Sequence, residues 1–168
     1  MHYPTLRLLP RKEESILRLH PWVFSGAIAS YSEPVTDGSL VTVLDSKGKP
    51  LGTGHFGGGS IAVRLLSFSG EEVIDREFYK ARLQAALGLR LDCGLIRPEG
   101  SCERPNNTYR LVHGEGDGLP GLVIDIYDRT AVLQAHSMGM HEARMMIAEA
   151  LQEVYKEAGD PVAPLAGI

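Results

Sequence analysis

Residues 39–68 read SLVTVL, DSKGKP, LGTGHF, GGGS and IAVRLLSF in close succession. Three short strand-like runs, 39–44, 51–56 and 61–68, are thus separated only by glycine-rich turns. Leu40, Thr42 and Leu44 alternate with Val41 and Val43 at the strand period, and both sets are largely apolar. Residues 5–9 (TLRLL) add another short strand before Pro10, and HPWVFSGAI (20–28) forms a compact apolar cluster around Gly26. So many short strands within about 70 residues predict a small β-barrel or rolled sheet. The acidic run SGEEVIDRE marks a boundary near residue 70.

A different pattern follows. Residues 75–91 carry one apolar stripe of Phe78, Ala81, Ala85 and Leu89, and a second of Leu83, Leu87 and Leu91. A helix apolar on both sides is expected to pack on both sides. Residues 92–108 read as an irregular connector, and strands follow at 109–113, 122–127 and 131–136. A second helix over 141–158 places Ala143, Met146, Ile147, Ala150, Leu151, Val154 and Ala158 on one face, and Gly159 stops it.

Charge narrows the classes of partner. The 168 residues carry a formal charge of -4, which excludes affinity for polyanions by bulk charge alone. Residues 1–30 nevertheless hold Arg7, Arg11, Lys12 and Arg18 against Glu13 and Glu14. An anionic partner should therefore meet the N-terminal third first. Cys93 and Cys102 form neither a disulfide framework nor a zinc spacing, and two reduced thiols of a cytosolic protein are expected. No apolar stretch approaches membrane-spanning length, so a cytoplasmic protein without membrane association is expected.

HGEGDGLPGLVIDI (113–126) poses the sharpest local question. Its glycines suggest a dinucleotide loop, but that loop must open a helix, and Leu122–Ile126 reads as a strand. His113, Glu115 and Asp117 could contribute to a metal site only with a further ligand from elsewhere. The simpler reading is a shaped turn in which glycine permits positive φ and Pro120 restrains re-entry. In that reading the loop faces solvent, and Asp117→Ala changes stability by no more than ~0.5 kcal/mol. The alternative is an aspartate that caps its own turn through backbone N–H groups.

HPWVFSGAI (20–28) together with YRLVHGEGDGLPGLVIDIYD (109–128) resembles the N-terminal half of bacterial S-adenosylmethionine-dependent large-subunit rRNA cytosine-C5 methyltransferases that carry a PUA domain. The resemblance implies a PUA-like RNA-binding barrel at 1–70 and a central α/β domain, an α+β arrangement, at 72–168. It also implies that the chain stops before a Rossmann-like domain that binds S-adenosylmethionine and carries the catalytic cysteine. No catalytic, cofactor-binding or metal-binding residue is therefore assigned to these 168 residues, and the chain alone is expected to be inactive. The implied partner is ribosomal RNA, and a homodimer is the self-association left open. Arg7, Arg11, Lys12, Arg18, His20, Trp22 and Arg64 become the candidate RNA-binding residues. His113, Glu115, Asp117 and Gly118 become a loop near the substrate cleft. Two rival readings stand beside this one: an RNA-binding module with no enzymatic partner, and a metal-dependent hydrolase using His113, Glu115 and Asp117.

Overall fold

The computed structural model describes residues 3–97, 106–159, 162 and 164–168. The centre of the expected connector, including Cys102, lies outside them. The chain divides into two compact units, Met1–Ile74 with Ser137–Glu142, and Asp75–His136 with Ala143–Ile168.

In the first unit the strands are β1 (Thr5–Leu8), β2 (Trp22–Phe24), β3 (Ile28–Tyr31), β4 (Leu40–Leu44), β5 (Pro50–Phe56) and β6 (Ile61–Ser67). A single helical turn, α1 (Glu14–Leu17), precedes β2. The sheet order is β2-β6-β5-β4-β1-β3, with only β1 and β4 parallel. Strands β2 and β3 therefore lie at opposite ends of the sheet, although only Ser25–Ala27 separates them in sequence. A link of that length reaches roughly 10–14 Å, so the sheet must curl until its two ends approach each other. Register shifts at Arg7/Leu8, Val23/Phe24, Val43/Leu44 and Thr53/Gly54 supply the bending.

The interior of the curl holds Leu6, Leu8, Ile16, Val23, Val41, Val43, Leu51, Val63 and Leu65. The glycines of LGTGHF have a steric cause. A Cβ on Gly54 would stand 2.1 Å from the Arg64 carbonyl oxygen, and one on Gly52 would stand 2.5 Å from that of Ser67. Strand β6 passes too close to β5 for any side chain there. On β5 the imidazole of His55 is buried, and its Nδ1 has no partner among the described residues. Gly139 lies against that ring so closely that a Cβ would sit 2.2 Å from it. Burial pushes the His55 pKa down to about 4.

The second unit is built on α2 (Arg76–Asp92), a three-stranded antiparallel sheet of β7 (Thr108–His113), β8 (Leu122–Tyr127) and β9 (Thr130–Ala135), and most of α3 (Met138–Ala158). Asp75 caps α2 by accepting from the Phe78 amide at 3.0 Å. The helix buries Phe78, Tyr79, Leu83, Ala86 and Leu87. The expectation of packing on both sides is corrected here, since Ala81 and Ala85 are exposed and Leu89 is 51% exposed. The small alanines of the Phe78–Leu89 stripe cost little in water, so one buried face suffices. Helix α3 buries Ile147, Ala150, Leu151, Val154 and Tyr155, and the Tyr155 hydroxyl meets that of Tyr109 at 2.7 Å. Lys80 ties the two helices together through Glu153 at 3.0 Å and Glu157 at 2.8 Å. The result is a curled sheet followed by an α+β region. Among the described residues no strand leads through a glycine loop into a helix in the Rossmann manner.

Candidate nucleic-acid interface

Edge strand β2 presents a row of rings. His20, Trp22 and Phe24 recur at the strand period, and consecutive rings meet edge to face at 5.6 Å and 6.5 Å. The Trp22 amide donates to His20 Nδ1 at 3.2 Å, which orients the imidazole beside the indole. Trp22 is half-buried, His20 is exposed and Phe24 is 50% exposed. By sequence Trp22, Val23 and Phe24 read as one apolar cluster, but of the three only Val23 is buried. Phe24 joins the candidates on structural grounds alone. Its signal in the sequence is the alternation His20-x-Trp22-x-Phe24, which puts three rings on one side of a strand.

Arg64 lies directly across from Trp22 in the β2–β6 register. Its half-buried side chain stands beside Gly57 at the start of the GGGS turn. The N-terminal cations are placed differently. Arg7 projects from β1 and donates to the Ser46 carbonyl at 3.3 Å, toward the β4–β5 turn. Arg11 and Lys12 are exposed in the loop after β1, where Arg11 adopts a φ of 65°. Arg18 pairs with Glu14 at 3.8 Å, but both side chains are more than three-quarters exposed. Such a pair is worth about 0–1 kcal/mol, so a phosphate competes with Glu14 readily.

In the 113–118 loop His113, Glu115 and Gly116 are exposed as expected, and Asp117 departs from that expectation. Gly114–Asp117 make a 3-10 turn, and Gly118 closes it at φ 68°. Asp117 does not face solvent, its side chain being only 5% exposed. Its carboxylate is held by the Arg90 guanidinium of α2 in a two-pronged pair, Nη1 to Oδ1 and Nη2 to Oδ2, the latter at 2.9 Å. Oδ2 also accepts from the His113 amide at 2.6 Å, and Arg90 Nε donates to the Arg110 carbonyl at 3.1 Å. The aspartate therefore caps its own turn and fastens it to α2. His113 meets Arg110, which in turn pairs with Asp125 at 2.8 Å and 3.0 Å and holds that carboxyl below its usual range.

These contacts remove the hydrolase reading. Asp117 spends its oxygens on Arg90 and a backbone amide, so it cannot join His113 and Glu115 around a cation. Among the described residues, no three His, Cys, Asp or Glu side chains gather in a metal-binding group. No described helix is long and apolar enough to cross a membrane.

Comparison with known proteins supplies the context. Residues 6–68 match the model of a PUA-like domain. The chain is 40% identical over 156 residues to the protein named ribosomal RNA large subunit methyltransferase I in Yersinia pseudotuberculosis serotype O:1b and in Yersinia pestis. That match covers 91% of this chain and 38% of each relative, so the chain spans well under half the length of the curated relatives it matches. A protein described as a SAM-dependent methyltransferase from Streptococcus mutans superposes with a TM-score of 0.73, over 93% of this chain and 38% of that one. At 19% identity this likeness is one of fold. A second methyltransferase structure, solved with SAH, gives a TM-score of 0.72.

Proposed function

Because the chain joins a PUA-like domain to a region homologous to the bacterial large-subunit ribosomal RNA methyltransferases, we propose that it recognises ribosomal RNA and positions it for S-adenosylmethionine-dependent methylation of cytosine C5. The observation that carries this reading is the ring row His20–Trp22–Phe24 with Arg64 beside it. Rings left wholly or partly exposed along a strand offer faces on which unpaired bases stack, and a guanidinium alongside meets the backbone. Arg7, Arg11, Lys12 and Arg18 add phosphate contacts that position the strand without reading it. A cytoplasmic setting accords with this partner.

S-adenosylmethionine supplies the methyl group in such a reaction. The described residues do not fit it. The amides opening α2 are capped by Asp75, and Ser137 Oγ accepts from the Met140 amide at 3.4 Å at the start of α3. No reaction step is therefore assigned to this chain's side chains, whose part is to bind and orient RNA. The loop at His113, Glu115, Asp117 and Gly118 supports a substrate cleft by holding its shape, with Arg90 as its anchor.

Trp22→Ala should weaken binding of single-stranded RNA about tenfold, while Trp22→Phe retains most of it. Fluorescence anisotropy with the folded variants reads this directly. Unchanged affinity in Trp22→Ala would remove the ring row from the interface.

A further inference from the structure

A second aromatic feature lies elsewhere in the curled sheet. Tyr31 ends β3 opposite the core residue Leu6, and its ring meets Phe56 edge to face at 5.9 Å. Tyr31, Glu33, Pro34, Val35 and Phe56 line a recess of about 450 Å³. Val35 and Phe56 rest on the buried core and form its floor, whereas Tyr31 stays 45% exposed. Glu33 is exposed and makes no hydrogen bond or ion pair with any described residue. Among the described residues neither Lys nor Arg lines the recess.

We propose that this recess binds one unstacked nucleobase carrying an exocyclic amine, cytosine foremost, with the base on the Tyr31 ring and its amine donating to the Glu33 carboxylate. The inference rests on the RNA-binding reading above and adds base preference to it. The volume lies in the lower part of the range of roughly 300–1,000 Å³ usual for small-ligand sites, which is room enough for a base. An aromatic face takes any base by stacking. A carboxylate accepts from the cytosine N4 amine and repels the carbonyl that uracil presents at the same position. With no cation in the lining, the recess has nothing to offer a phosphate. Its contribution therefore tells bases apart and leaves the salt dependence to Arg7, Arg11 and Lys12.

The test uses the whole 168-residue chain and labelled oligocytidine and oligouridine of equal length, at fixed ionic strength. The unaltered chain should bind oligocytidine about tenfold more tightly than oligouridine. Glu33→Met should erase that preference, and Tyr31→Leu should weaken both oligomers roughly tenfold while Tyr31→Phe restores them. Thermal melts establish that each variant is folded. Should Tyr31→Leu fail to fold, the exposed Glu33 still gives the answer. Equal affinities for the two oligomers, or a preference that survives Glu33→Met, would overturn the recess. If Trp22→Ala weakens binding and the recess variants do not, the recess falls and the wider reading stands. If the chain binds neither oligomer, both fall.

Discussion

Asp117→Ala is expected to destabilise the second unit by about 3–5 kcal/mol, far more than a surface carboxylate would. The substitution strands the Arg90 guanidinium, whose side chain is only 12% exposed, and frees the His113 amide at the same time. Arg90→Met should cost a similar amount, because it leaves the Asp117 carboxylate buried without its cation. The double variant Asp117→Ala/Arg90→Met should lose less than the sum, since no charge then remains uncompensated. Denaturant melts of the unaltered, single and double variants complete the cycle. Additive losses would mean that the pair is not coupled.

The second large effect depends on pH. The His55 pKa falls from its ordinary 6.5 to about 4 through burial, so the folded state resists a proton that the unfolded chain accepts. The neutral imidazole is compatible with the fold at all pH values above 6.5, where the histidine exerts no pull toward unfolding. As pH falls from 6.5 toward 4, the unfolded state gains a proton that the folded state lacks, and stability drops by up to about 3 kcal/mol. The Asp45, Asp125 and Glu153 carboxyls, held low by hydrogen bonds and cations, add their losses further down the scale. His55→Gln should therefore flatten the stability profile between pH 6.5 and 4, measured by urea melts at successive pH values. An identical slope in both proteins would show that His55 binds its proton equally in the folded and unfolded states.

Much of this architecture is legible from local pattern. The glycine-punctuated runs at 39–68 appear as β4, β5 and β6, and 109–113, 122–127 and 131–136 fall on β7, β8 and β9. Helix α3 begins at Met138 rather than 141, because Ser137 offers a cap one turn earlier. The rest is set by distant partners. HPWVFSGAI reads as one apolar cluster, yet β6 claims Trp22–Phe24 while β1 claims Ile28–Tyr31, and that division curls the sheet. The outward turn of Phe24 follows from the same division. Asp117 reads as solvent-facing because its cation stands 27 residues earlier, on a helix whose polar side gives no hint of a buried arginine. Tyr155 is absent from the apolar face expected of 141–158 because its hydroxyl masks a ring that is wholly buried against Tyr109.

In the proposed function, exposed cations of the first unit meet an RNA backbone. Arg7, Arg11 and Lys12 are exposed, and among the described residues only Arg7 of the three finds a side-chain hydrogen-bond partner, one carbonyl. Titrating single-stranded RNA over a range of salt concentrations, with the unaltered chain and with all three residues changed to glutamine, is the most direct measurement. The unaltered chain should bind weakly with a steep dependence on salt, and the triple variant should lose affinity for every sequence alike. Its slope of log affinity against log salt should be shallower by about two, at roughly 0.7 for each phosphate no longer neutralised. The same affinity and the same slope in both proteins would contradict an RNA surface at these three residues.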